Sequence, residues 1–387
     1  MNLCRINYNE KEEDKMKIEI FKMESWLRDN QYIQYNLGQS GVEDVTVGEL
    51  IEQLDMKIED LKSLSLGDND TLGTLELRKL IAGFYENISV DNIMVTSGSS
   101  EALLVYFMVK YKPGSNIVVL APAFQSLSDM PAYLGYEVRK LHLKKENNFR
   151  IDMNELENLI DEDTSILVLN NPHNPTGMRL TEEEIEQIKK IIVDKNVEVL
   201  ADEHYRFLPH TEEAVIPSLT NYFDKVSAVG SMIKCFGCVG LRIGWLIADK
   251  ELIENCRDLK DYTTHTICSM NDFLSRKVLQ KSWELSLKYK EWIIENKKYF
   301  QGFINKNSNI LNWIPPQAGI VAFPYFINNK IKVQDVLADL IDKKKVFLLP
   351  GETFDVNNHF RICLGKDPQY FREAMDKFQE YIDENMR

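Results

Sequence analysis

The chain has 387 residues, 44% hydrophobic and 27% charged, with a net charge of −14. This is the composition of an ordinary globular protein, which excludes a collagen, a disordered chain and a disulfide-dense miniature scaffold. The 46 Lys and Arg against 60 Asp and Glu form no basic run suited to a nucleic acid, and no apolar stretch reaches the ~20 residues of a membrane span. The opening text MNLCRINYNEKEEDK is polar and acidic, unlike a secretory signal, so a cytoplasmic location is expected. Cysteines at 4, 235, 238, 256, 268 and 363 include one Cys-x-x-Cys without a second pair. They read as reduced thiols, with no metal site.

Residues 1–45 read as an irregular arm with one short helix around Met23–Asp29. Leu77, Leu80, Ile81 and Phe84 recur at i, i+3, i+4 and i+7, which predicts a helix face within 75–87. Short apolar runs then alternate with helical patterns: NIMVTSG (92–98), NIVVLAP (116–122), SILVLNNP (165–172), VEVLADE (197–203), KVSAVGS (225–231) and RIGWLIA (242–248). Between the third and fourth, Thr181 and Glu184 form a capping box ahead of the stripe Ile185, Ile188, Ile192. Runs that are apolar on both faces predict a mainly parallel central sheet with helices on each side. Residues 250–305 read as long helices whose acidic and lysine runs are solvated faces. From about Asn309 short strands and helices suggest a smaller α+β unit. The expected division is an arm (1–45), a large domain (46–280) and a small domain (281–387).

In such sheets ligands bind beyond the carboxyl ends of the strands, and five segments there carry unusual residues. Thr96-Ser97-Gly98-Ser99-Ser100-Glu101 opens a helix, and free N–H groups there suit an anion. Phe124 follows a strand in Ala121-Pro122-Ala123-Phe124. Asn170-Asn171-Pro172-His173-Asn174-Pro175-Thr176-Gly177 is a loop stiffened by two prolines. Asp202 ends a buried strand, where a carboxylate is costly unless paired, and Tyr205 follows three residues later. Ser231, Lys234 and Arg242 lie in an otherwise apolar, glycine-rich stretch, and a desolvated lysine can form a Schiff base. Taken singly, these are compatible with a helix cap, core packing, a plain turn or a surface lysine. Together they meet the needs of one cofactor, pyridoxal phosphate: an amine, a phosphate cradle, a stacking aromatic and a carboxylate for the pyridinium nitrogen.

From about Leu37 to the C-terminus the chain resembles the fold-type I, pyridoxal phosphate-dependent aminotransferases of class I/II. The resemblance rests on NPHNPTG, on Asp-x-x-Tyr, and on Ser-x-x-Lys with Arg eight residues after the Lys. It implies that Lys234 carries the cofactor and acts as general base. Asp202 would pair with the pyridine nitrogen, Asn174 and Tyr205 with the ring oxygen, and Phe124 would stack on the ring. Ser99, Ser100, Ser231 and Arg242 would hold the phosphate. Arg361, in His359-Phe360-Arg361-Ile362, would fork the substrate carboxylate beside Gly38. It further implies an amino acid substrate and a homodimer.

Three departures bear on the reaction. Asn36-Leu37-Gly38-Gln39-Ser40-Gly41-Val42 lacks the usual Gly-x-Pro. The position five before Gly73, in Gly73-Thr74-Leu75-Glu76-Leu77-Arg78, is Asp68 where the family often has a Tyr that serves the partner subunit. His204 stands two residues after Asp202, where a small or aliphatic residue usually lies under the ring. The arm and loop text (MESWLRDNQYIQYNLGQSGVEDVTVGEL, SLGDNDTLGTLELR and GSSEALLVYF) is similar to the capreomycidine synthase-like cyclases of the same family. That likeness implies loss of hydroxide from a hydroxylated arginine and closure of a cyclic guanidino acid. Amino transfer to a 2-oxo acid stays open as the alternative. A cyclase needs a proton donor, for which His204 and His173 are candidates. It also needs an anchor for the guanidinium, for which Asp68, Glu43 and Asp44 are candidates.

Overall fold

A computed structural model describes residues 18–232 and 234–386. The first 17 residues, including Cys4 and the start of the expected arm, lie outside the described residues.

Seven strands build the central sheet: β1 (Ile93–Ser97), β2 (Asn116–Ala121), β3 (Glu137–His142), β4 (Thr164–Asn170), β5 (Glu198–Asp202), β6 (Val226–Ser231) and β7 (Ile243–Ile247). They lie in the order β1-β7-β6-β5-β4-β2-β3. All pairings are parallel except those β7 makes with β1 and β6. Only residues 232–242 join β6 to β7, too few for the crossover a parallel neighbour needs, so the chain returns antiparallel. Six of the strands coincide with the apolar runs. β3 is the addition: as an edge strand it carries Glu137, Arg139 and Lys140, which interrupt any apolar pattern.

Each face of the sheet buries its own core. On one side Leu103, Phe107, Val119, Val168, Leu246 and Ile253 pack beneath helices Ser99–Lys110 and Lys250–Lys260. On the other, Val95, Leu167, Val199, Ile188 and Trp245 pack in a core that continues into the C-terminal unit through Phe300, Ile320, Phe347 and Phe371. A Leu→Ala change at Leu167 or Leu246, both 0% exposed, would cost about 2–5 kcal/mol.

Local chemistry sets the helix ends. Thr181 Oγ1 accepts from the Glu184 N–H at 3.1 Å and the Glu184 carboxylate accepts from the Thr181 N–H at 2.9 Å, opening helix Glu182–Ile192. Helix Leu75–Ala82 stops at Gly83, so Phe84 falls past its end and meets Phe207 edge-on instead. In the helices of 250–305 the charged residues are not all solvated. Lys260 is buried and donates to the carbonyls of Thr71 and His265, while buried Asp272 accepts from Thr74 and forms an ion pair with Arg276. These charges tie helices Lys250–Lys260 and Ser269–Gln280 to the segment before β1.

After helix Ser282–Lys306 come short antiparallel strands and two helices, Val333–Lys344 and Pro368–Asn385. Tyr35–Asn36 of the arm pairs in parallel with Val346–Phe347, so this part of the arm is built into the C-terminal unit. The arm helix, Lys22–Asp29, lies over the mouth of the site described below. No described helix is long and apolar enough to cross a membrane.

Burial pushes the pKa of His173 and of His359 down to about 4. Both imidazoles are neutral in the folded protein at pH 6.5, whereas the unfolded chain takes up protons below that pH. Their contribution is therefore complete above pH 6.5 and is lost as the pH falls towards 4. His359 stacks on Phe323 with ring centroids 4.7 Å apart. His359→Phe keeps that ring, and denaturant titrations from pH 7 to 4.5 should show about 2 kcal/mol less loss of stability than the wild type.

Candidate active site

A cavity of about 580 Å³ opens where the carboxyl ends of β4 and β5 meet the N-terminus of helix Ser99–Lys110 and the turn after β6. Asn170 and Asp202 reach it as the last residues of β4 and β5. Ser99 and Ser100 reach it from the first turn of the helix, Phe124 from beyond β2, and Lys234 from the turn. Asn174, His204, Tyr205 and Arg242 complete the floor, and Ser40 and Gly41 of the arm supply a wall.

One end of the cavity is built for an anion. Helix Ser99–Lys110 starts after Gly98, whose φ of +79° favours glycine, and a Cβ there would sit 2.6 Å from Arg242 Nη2. A Cβ on Gly244 would run into the Ser99 amide. The two glycines thus let the arginine and the helix terminus converge. Ser231 ends β6 buried, with its hydroxyl free of any hydrogen-bond partner. A phosphate fits a site that offers an orphaned hydroxyl, unpaired amides and a guanidinium.

Further along the floor, Asp202 is 4% exposed and is paired with Nδ1 of His204. The other ring nitrogen, Nε2, meets Ser99 Oγ at 2.5 Å. His204 therefore bridges the buried carboxylate to the anion end. Lys234 Nζ donates to Ser40 Oγ at 3.2 Å. Burial, then the Arg361 guanidinium, pushes its pKa down to about 8. Tyr205 donates to the Ser40 carbonyl at 3.3 Å, and burial holds its hydroxyl protonated. Arg361, fully buried on the strand Phe360–Cys363, donates from Nη1 to Asn174 Oδ1 at 3.1 Å and from Nη2 to the Gly38 carbonyl at 2.8 Å. Its Nε has no partner.

The structure thus gathers Ser99, Ser100, Phe124, Asn174, Asp202, His204, Tyr205, Lys234 and Arg242 around one cavity, with Ser231 and Arg361 just beneath its surface. Gly38 contributes its carbonyl only, and a Cβ there would strike the Phe347 ring. Asp68 does not join them: it is exposed, 3.5 Å from Thr266 Oγ1. His173 is bonded to Thr176 Oγ1 at 2.8 Å and is not on the cavity wall, and Glu43 pairs with Lys366 at 3.3 Å. The expectation of His204 as a free proton donor meets a geometric obstacle, because both its nitrogens are engaged. Ser40, Asn170 and Glu24 are cavity residues that motif reasoning passed over. The small residues of Gly-Gln-Ser-Gly in the arm were the available signal for Ser40. The set as a whole fits pyridoxal phosphate, with an amine whose pKa desolvation lowers, a buried carboxylate, an aromatic and an anion cradle.

The family description "aminotransferase class I and II" matches residues 52–378. Capreomycidine synthase of Streptomyces vinaceus is 26% identical over 343 residues, covering 88% of each chain. Aspartate aminotransferase of Sulfolobus acidocaldarius is 27% identical, covering 81% of this chain and 82% of the relative. Among solved structures, a PLP-dependent aminotransferase from Streptococcus suis superposes with a TM-score of 0.90 at 24% identity, covering 96% of this chain and 99% of the other. The PLP-dependent cyclase OrfR does so at 0.87 and 24%, covering 95% and 98%.

Desolvation lowers the Lys234 pKa to about 8, so its amine gives up a proton more readily than that of an ordinary lysine. Borohydride treatment of the pyridoxal phosphate-loaded protein should fix the cofactor on the peptide carrying Lys234, read by mass spectrometry. Lys234→Ala should abolish the adduct; a reduced adduct on another lysine would remove Lys234 from this role.

Proposed function

The chain belongs to the aminotransferase class I and II family and is a pyridoxal phosphate-dependent enzyme; within that family we propose that it is a cyclase of a hydroxylated arginine. The reaction removes the Cα proton and a side-chain hydroxide, which leave together as water, joins a guanidine nitrogen to the carbon that lost the hydroxide, and returns to Cα the proton which that nitrogen gives up. The product is a cyclic guanidino amino acid lighter by one water. The observation that carries this reading is the similarity to capreomycidine synthase, which spans 88% of both chains and so extends beyond the 81% of this chain matched by the aspartate aminotransferase. The second reading, amino transfer to a 2-oxo acid, draws on the aminotransferase relatives.

When bound, pyridoxal phosphate supplies an aldehyde for amines and a ring that accepts the electron pair left at Cα. The chain's own residues supply the rest. Arg361, already forked between Asn174 and Gly38, offers its remaining N–H groups to the substrate carboxylate. Lys234, with its pKa near 8, takes the Cα proton. With His204 held at both nitrogens, we assign to Lys234 also the return of that proton to the departing hydroxide. His204 is then a positioning residue that orients the Asp202 carboxylate, whose negative charge favours a protonated pyridine nitrogen. Ser99, Ser100, Ser231 and Arg242 would hold the phosphate, Phe124 would pack on the ring, and Tyr205 and Asn174 would bond its oxygen.

The homodimer belongs to the same proposal. Asp68 stands away from its own cavity in a loop held against residues 266–269, with Leu66, Tyr262 and Met270 exposed on these segments. Exposed apolar residues at this density suit a protein contact, which would bring Asp68 to the partner's site.

β- or γ-Hydroxyarginine incubated without any 2-oxo acid should give repeated turnovers of a product one water lighter by mass. Amino transfer from a common amino acid, with no water loss from either compound, would replace the cyclase with the aminotransferase. Asp202→Asn should keep the cofactor and slow turnover by ~10² or more, because an amide cannot hold the pyridine nitrogen protonated. His204→Phe should slow it less, since the carboxylate remains.

A further inference from the structure

Two carboxylates among the described residues line the cavity, Asp202 and Glu24. Asp202 is committed to the floor. Glu24 lies exposed on the arm helix Lys22–Asp29, and its side chain makes no hydrogen bond or ion pair with another described residue. The helix that carries it is held over the cavity at three points. The rings of Phe21 and Phe124 lie 5.5 Å apart, Met23 Sδ receives Arg361 Nη1 at 3.4 Å, and Lys22 pairs with Asp355 at 2.6 Å. Met23, the residue beside Glu24, therefore touches the arginine that faces the substrate carboxylate. The negative charge of Glu24 also acts on both Lys234 and Arg361. The other charged arm residue on the wall, Arg28, already has Asp29 at 3.8 Å.

A glutamate in a first helical turn also favours the helix dipole. That contribution requires only exposure, and it does not account for a place on the cavity wall without a cationic partner. The cavity already holds three cationic side chains for an amino acid and its cofactor, Lys234, Arg242 and the adjacent Arg361. An unpaired carboxylate opposite them completes a site for a zwitterion with a second positive charge.

We propose that Glu24 binds the guanidinium at the distal end of the substrate side chain, so that the arm helix is the specificity element of the site. This rests on the reading of the cavity as an amino acid site. It differs from the expectation that Asp68, Glu43 or Asp44 anchors the guanidinium, since Glu43 is paired with Lys366 and Asp68 lies elsewhere.

The test is a binding titration of the cofactor-loaded enzyme, following the cofactor absorbance as amino acid is added. L-Arginine and L-citrulline serve as probes, because citrulline has nearly the same shape with a neutral end. The wild type should bind arginine about tenfold more tightly, the size of one charge-assisted contact. Glu24→Gln should bring the two within about twofold by weakening arginine alone, and Glu24→Asp should recover part of the preference. Equal affinities in the wild type, or an equal loss for both ligands in Glu24→Gln, would overturn the proposal. No turnover is required, so a Glu24-dependent arginine preference stands even if hydroxyarginines lose no water. Conversely, water loss with an unchanged arginine preference in Glu24→Gln overturns the role of Glu24 and leaves the cyclase in place.

Discussion

Two cations, half-buried Lys234 on the cavity wall and fully buried Arg361 beside it, have no carboxylate of the described residues bonded to either, and the surroundings answer that cost. Lys234 answers it by weakening its hold on a proton, because desolvation and then the Arg361 charge disfavour the ammonium. Arg361 cannot become neutral in ordinary conditions, so neutral acceptors must do the work: the Asn174 side chain and the Gly38 carbonyl. Both acceptors come from loops with little freedom. Asn174 lies in the proline-stiffened loop after β4, and Gly38 is pressed against Phe347. A ligand carrying a carboxylate would relieve the remaining deficit.

The sheet makes this arrangement possible because six strands that run the same way end on one level, from which the antiparallel β7 starts. The carboxyl ends of β4 and β5 place Asn170 and Asp202 side by side, in register across the ladder. The turn between β6 and β7 then delivers Lys234 to the same edge. β7 runs back along β1 and brings Arg242 and Gly244 against Gly98 and Ser99. The anion cradle is therefore a consequence of the one strand that breaks the parallel pattern.

The arm closes the site from a second direction. Leu37 is bonded through its backbone to Phe347 and Cys363, and Val42 to Lys234, so residues 37–42 link the C-terminal unit to the turn that bears the lysine. Ser40 accepts from both Lys234 and Tyr205. The helix Lys22–Asp29 rests on Phe124 and Arg361 rather than on the sheet. The arm thus forms one wall of the cavity independently of the opposite end, which is built from the sheet and helix termini.

The six apolar runs, the capping box at Thr181 and the motifs around Asn174, Asp202 and Lys234 were legible in the amino-acid sequence, since each depends on residues within a few positions of one another. Strand formation, helix capping and turn stiffness are local events, and a residue at a strand's carboxyl end announces its place by following the strand. The edge strand β3 was not legible, because exposure on an edge permits the charges that hide its pattern. Nor were the direction of β7, the burial of Lys260 and Asp272 or the engagement of both nitrogens of His204, all of which are settled by partners far along the chain. Glu24 shows the difference most plainly. In the sequence it is one acidic residue in an acidic N-terminal region. Only contacts of its helix with Phe124, Arg361 and Asp355, at least a hundred positions away, set it on the wall of the cavity.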